Sequence, residues 1–188
     1  MTISLKNQRG FTLLEMVISI GIFTVVIITT IGLMLSLSNA QIKAANTQVV
    51  QDNIRFSMEL LAKELRTGTQ FSILSPVCGQ AGSEIRFEAT SGTRVYFWDQ
   101  TNLRIMRATQ PILPGDCNGS SGIVVPFTAE DIYIDRFNFL TRGLPAGAAD
   151  GQPQITIMLR ARAKSPKIPL ESTLDLQTTV VPRARDLQ

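Results

Sequence analysis

The residue that stands out chemically is Glu15, a carboxylate followed directly by an apolar run from Met16 to Leu37, 22 positions without a charge. Such a run crosses a hydrocarbon core of about 30 Å at about 1.5 Å per residue. An ionised group inside the membrane costs up to about 3 kcal/mol at its centre and less near the interface, so Glu15 either snorkels or meets a cation. Just before it stand Gly10 and Phe11, behind a short leader carrying Lys6 and Arg9. The second candidate pair is Cys78 and Cys117. Two cysteines are too few for an all-thiolate structural zinc site. Outside the cytoplasm they would form a disulfide closing a loop of about 40 residues, a stabilisation of about 3–4 kcal/mol in the chain-entropy model; the alternative is two separate buried thiols.

The 188-residue chain contains no histidine. Ser/His and Cys/His catalysis and imidazole-bound metals are thereby removed. No phosphate-cradling glycine loop or nucleophile elbow occurs either, so no enzymatic activity is expected. Glu130, Asp131 and Asp135 lie close in sequence but lack the spacing of a calcium loop. Arg104, Arg107, Arg160, Arg162, Lys164, Lys167, Arg183 and Arg185 invite a nucleic-acid reading. However, without residues 1–10 there remain 16 basic against 15 acidic side chains, which argues for an ordinary solvated surface. Tyr96, Phe97 and Trp98 mix both faces of a presumed strand and read as packing residues.

The elements that must carry these residues follow from the pattern. The first charge after the apolar run is Lys43, soon balanced by Asp52, so the positive-inside rule places the leader in the cytoplasm and the rest outside. A conventional secretory signal cut near Ser38-Asn39-Ala40 is the competing reading, but its apolar region would be too long. The helix is expected to continue past the membrane to about Thr67, one element of about 85 Å from Phe11, with Gly68 placed to end it. Ile42, Ala45, Val49, Phe56 and Leu60 form one stripe, and Ile54, Met58, Leu61 and Leu65 a second. Together they predict a wide apolar face packed on a sheet. Glu59 and Lys63 stand at i,i+4 in the favourable order.

Beyond Gly68, β-prone runs alternate with Gly, Pro, Asn and Asp. Strands are expected at Glu84–Glu88, Arg94–Trp98, Leu103–Arg107, Ile123–Phe127, Ile132–Phe139, Gln154–Ala163 and Ser172–Val181. The turn Asp99-Gln100-Thr101-Asn102 would join the second and third. The fold class is therefore α+β, with a long amino-terminal helix on a mainly antiparallel sheet. The expected organisation is a leader over 1–10, a membrane helix over 11–37, its amphipathic continuation over 38–67 and a β-rich domain over 68–188. Leu113–Gly122 and Thr141–Pro153 are expected to be long loops.

Gly10 followed by Phe11-Thr12-Leu13-Leu14-Glu15 after a basic leader resembles the amino-terminal signal of type IV pilins and type II secretion pseudopilins. The resemblance covers the first third of the chain. It implies cleavage after Gly10 by a prepilin peptidase, methylation of Phe11 as the new terminus, and a contact between Glu15 and the cationic terminus of a neighbouring subunit. It implies a single-pass inner-membrane precursor with its carboxy-terminal domain periplasmic or extracellular. The implied partners are other pilins or pseudopilins and an inner-membrane assembly platform; no cofactor is implied, and nucleic acid is not an expected partner. Many major pilins have a proline where this chain has Gly32. That departure, with the chain's length, its Phe56–Arg66 and Tyr96–Arg107 patterns and the ending Leu176–Arg183, is similar to large minor subunits, the J-type pseudopilins among them. Some pseudopilins bind calcium, for which Asp116 with Asn118, or Asp150, are the positions available. Related filaments serve DNA uptake, so a competence filament is the second reading.

Overall fold

The computed structural model describes residues 10–73, 76–109, 117, 124–143, 153–164 and 172–183. One helix and eight strands are found among them: α1 (Leu13–Thr67), β1 (Thr69–Ser72), β2 (Glu84–Ala89), β3 (Gly92–Asp99), β4 (Arg104–Ala108), β5 (Val124–Pro126), β6 (Ile132–Arg142), β7 (Gln154–Ala163) and β8 (Thr173–Val180). This is the α+β arrangement expected. The chain divides into two compact units, one through Ile42 and one from Lys43 onward.

In the first unit α1 starts at a cap. Thr12 accepts the Glu15 N–H at 3.2 Å on its hydroxyl oxygen, which satisfies a donor that a helix start leaves open, and its carbonyl accepts the Met16 N–H at 3.2 Å as the first helical bond. The large apolar side chains of this unit are all exposed, from Leu13 at 83% to Ile27 at 40%. Its threonines turn inward on their own backbone: Thr24 donates to the Ile20 carbonyl and Thr30 to the Val26 carbonyl, at 2.8 and 2.7 Å. Hydroxyls satisfied in this way are compatible with a lipid surrounding. The helix is long and apolar enough over this stretch to cross a membrane.

The second unit is built on the other half of α1. Its buried positions are Val50, Ile54, Ser57, Met58, Leu61 and Leu65, a stripe at helical spacing. The expectation of one wide apolar face needs correcting here. Ile42, Val49 and Phe56 remain exposed, Phe56 at 69%, because residues seven apart lie on a different side of the helix from the one that meets the sheets. The i,i+4 pair on this surface is Arg55 with Glu59, at 3.0 Å, not Glu59 with Lys63.

Strands β1 to β5 form one antiparallel sheet in chain order, and β6, β7 and β8 a second. Thr69–Ser72 was not expected as a strand; it is short, irregular in register and holds Gln70 at a positive φ of 54°. The β2–β3 turn closes on Gly92, whose φ of 107° favours a residue without Cβ. The sheets meet through Trp98 Nε1, which donates to the Ile134 carbonyl at 3.0 Å, and through the Ile134 N–H, bonded to the Leu103 carbonyl. One core gathers the helix stripe, Phe87, Tyr96 and Ile105 of the first sheet, and Phe137, Ile157 and Leu159 of the second. A smaller core on the opposite face of the first sheet holds Val95, Phe97, Ala108 and Val124. Tyr96 and Phe97 thus pack on opposite sides of β3, as their mixed pattern suggested.

Gly68 follows the last helical residue, and since its φ is not left-handed, the need for glycine there is one of packing. A Cβ there would lie 2.5 Å from Phe87 Cδ2 and 3.3 Å from Phe71 Cε1. The expected loops 113–122 and 141–153 fall largely outside the described residues.

Candidate functional site

The amino-terminal site is a short linear array. Gly10 and Phe11 precede the cap at Thr12, and Glu15 falls in the first turn of α1, where a carboxylate meets the positive end of the helix dipole. Thr12-Leu13-Leu14-Glu15 has the spacing of a capping box, a signal present in the sequence that an exclusive focus on Glu15 passes over. Gly10 is exposed, its backbone is not left-handed, and an added Cβ would find nothing within 4 Å. Nothing in the fold of this segment therefore requires glycine at position 10. Phe11 is 75% exposed. Gly21 and Gly32 lie inside unbroken helix, likewise with open space around a Cβ.

Residues 5–31 match a family model described as the prokaryotic N-terminal methylation motif. The matched segment is similar to the amino terminus of type IV pilins and pseudopilins. The match supports a type IV pilin-like structural subunit of the kind processed by a prepilin peptidase and assembled with other pilins, and an inner-membrane anchor fits its apolar helix. No curated protein and no solved structure matches the chain. The assignment thus rests on the amino terminus, and the pilin-like domain from Lys43 onward is read from its own geometry.

In that domain Cys78 and Cys117 are joined, with a Cα–Cα distance of 5.4 Å and a sequence separation of 39. Both half-cystines pack on the smaller core. The turn around Cys78 is held by Glu84, which is only 1% exposed. Its Oε1 accepts the Val77 N–H at 2.8 Å, and its Oε2 accepts those of Cys78 and Gly79 at 2.8 and 2.6 Å. Three backbone donors offset the cost of burying this carboxylate. Glu84 stands in phase with Arg86 and Glu88 in the sequence, so no pattern marks it as buried.

A second polar cluster lies at the end of α1. The Tyr96 hydroxyl donates to Glu64 Oε2 at 2.8 Å; Arg107 Nη1 stands 3.6 Å from Oε1 and Arg94 Nε 3.8 Å from Oε2. Burial first, and then the Glu64 carboxylate, push the Tyr96 phenol well above its ordinary range. This arrangement offers no nucleophile and base pair. It ties the last turns of the helix to the first sheet.

The other sequence candidates are dispersed. Glu130 pairs with Arg104 at 3.3 Å, Asp135 with Arg162 at 2.9 Å, and Asp175 with Arg160 at 2.6 Å. Lys164 and Arg162 both lie over the Tyr133 ring. Most of the cations considered for nucleic-acid contact therefore have a protein partner; Lys167 and Arg185 lie outside the described residues, as do Asp116, Asn118 and Asp150. Among the described residues no three His, Cys, Asp or Glu side chains group as a metal site.

Proposed function

We propose that the chain is a minor pseudopilin of a type II secretion pseudopilus, cut after Gly10, methylated on Phe11 and drawn from the membrane into a filament through its amino-terminal helix. The observation that carries this reading is the segment Gly10–Glu15. It joins a glycine that the fold does not demand to a capped helix whose apolar side chains are exposed from Leu13 to Ile42. A residue type unexplained by its own surroundings is explained by an enzyme that must read it. Apolar side chains exposed along a helix call for lipid before assembly and other helices after it.

Glu15 serves in this reading as the partner of the methylated, still cationic Phe11 terminus of a neighbouring subunit. An ion pair in an apolar bundle adds little net stability but penalises every register that leaves one charge unmatched. The minor rather than major role is supported by Gly32, where α1 runs through without the proline bend of many major subunits. The leader would be cytoplasmic, and the domain from Lys43 periplasmic or extracellular, a compartment in which Cys78 and Cys117 stay oxidised. A minor pilin of a type IV pilus or a DNA-uptake filament is the second reading, since the amino-terminal motif is common to all three systems.

Mass spectrometry of protein extracted from membranes tests the reading. A species beginning at methylated Phe11 is expected; intact Met1 or a start at Gln41 would overturn it. Gly10→Val should block maturation, whereas Glu15→Ala should mature and then fail to enter filaments. Identification of crosslinked neighbours from the assembled filament separates secretion from pilus and uptake systems.

A further inference from the structure

Three of the four sheet edges are protected in ways that discourage another strand. Strand β1 has four residues and a register irregularity between Thr69 and Ser72. Strand β5 has three and ends in Pro126. Strand β6 is bulged between Ile134 and Arg136, and its Ile134 and Phe139 N–H groups are taken by the Leu103 and Gly82 carbonyls. Strand β8 has none of these features. It is eight residues long and paired in continuous register with β7 from Thr173 to Val180, without proline or lysine. Its single charge, Asp175, is engaged by Arg160 on the neighbouring strand.

The direction of its open hydrogen bonds follows from one contact. The Ala163 N–H donates to the Ser172 carbonyl at 3.0 Å, so Ser172 faces Ala163 in a hydrogen-bonded pair. Pairs alternate along an antiparallel ladder. Leu174, Leu176, Thr178 and Val180 therefore spend their backbone groups on β7, while Thr173, Asp175, Gln177 and Thr179 turn theirs outward. Among the described residues nothing is bonded to them.

Beside this edge lies a groove of about 530 Å³ between β8 and α1, floored by Met58, Ala62, Leu174 and Leu176. Leu174 and Leu176 are only partly buried against the core, so the helix extends beyond the last strand that covers it. At the rim Arg55 is paired with Glu59, whereas Arg66 has no ion-pair partner among the described residues. Arg66 marks the Val180 end of β8, because its carbonyl accepts the Arg183 N–H at 2.8 Å.

We infer that β8 is a docking edge for an extended segment of a partner protein, which adds antiparallel as a fourth strand. Its alternate apolar side chains fill the groove, and an acidic residue at its amino end meets Arg66. Backbone pairing supplies the attraction and the groove supplies selectivity. The inference concerns the domain alone and does not depend on the secretion reading.

The test uses the full chain in detergent and a labelled peptide as long as β8, alternating Val and Thr behind an amino-terminal Glu. Saturable binding is expected. A twin peptide, N-methylated on the amides that would face β8, should bind at least about tenfold more weakly, as the loss of one or two net hydrogen bonds implies. Gln177→Pro removes one outward donor at an exposed edge position that tolerates proline, and should weaken binding similarly. Arg66→Glu should weaken it several-fold, and a peptide beginning with Lys should restore it. Absent binding, equal binding of the methylated twin, or indifference to both substitutions would overturn the inference. So would hydrogen exchange showing the Asp175 and Gln177 amides already protected in the free chain, whether by its own residues at any concentration or by a second copy at high concentration.

Discussion

Tyr96 and Glu64, 32 residues apart, are joined by a 2.8 Å hydrogen bond that fastens the last turns of α1 to the middle strand of the first sheet. The phenol is fully buried and its neutral form is the one the fold holds, so its pKa stands above the ordinary value of about 10. Its contribution is complete below that value and is lost as pH rises through the higher folded one. Ultraviolet titration should show one phenol ionising only with alkaline unfolding, and Tyr96→Phe should abolish that step while costing about 1–2 kcal/mol in denaturant melts at neutral pH. Ordinary titration of both tyrosines would contradict the assignment.

Acid acts through a different pair. Arg160, by hydrogen bonding first and charge second, holds the Asp175 carboxyl below the usual carboxylate range. A depressed folded value means a contribution present above about pH 4 and lost as pH falls through the folded value. Both side chains are largely exposed, at 46% and 65%, so the effect on stability is small. It should be visible as a low carboxyl titration by NMR that returns to normal in Arg160→Ala.

Reduction of Cys78–Cys117 should destabilise the domain by about 3–4 kcal/mol, since the bond closes a long loop. Glu84→Gln places a carboxamide before three backbone donors and should cost about 1–3 kcal/mol. The two changes act on one turn, so their sum in a double-perturbation cycle should depart from additivity by more than about 0.5 kcal/mol. Strict additivity would show that Glu84 holds the turn independently of the disulfide.

Gly68→Ala brings a methyl against Phe87, a fully buried ring stacked with Tyr96 at 6.2 Å between centroids. A loss of about 1–3 kcal/mol is expected in thermal or denaturant melts. Phe87→Leu in the same chain should recover part of it, an outcome that pure loss of helix capping would not give.

Much of the local structure was legible because it is written in periodicity and punctuation. The helix ends where Gly68 says it should, and seven strands lie within a few residues of their expected positions. Thr69–Ser72 escaped because four residues contain too little alternation to read. The choice among helix stripes escaped too: Ile42, Val49 and Phe56 are as apolar as Ile54, Met58 and Leu61, and only the position of the sheets decides which is buried.

The sequence alone marks the proposed amino-terminal site, because Gly10, Phe11 and Glu15 are read through their order along one short segment. It likewise determined the helix and the strands, whose signals span a dozen residues or fewer. Tertiary structure decided the rest: that Glu84 is buried under the Cys78 turn, that Tyr96 reaches Glu64, and that β8 is left as the open edge. The Tyr96–Glu64 contact joins residues 32 apart, and the burial of Glu84 and the open edge at β8 follow from how whole sheets pack, which no local pattern encodes.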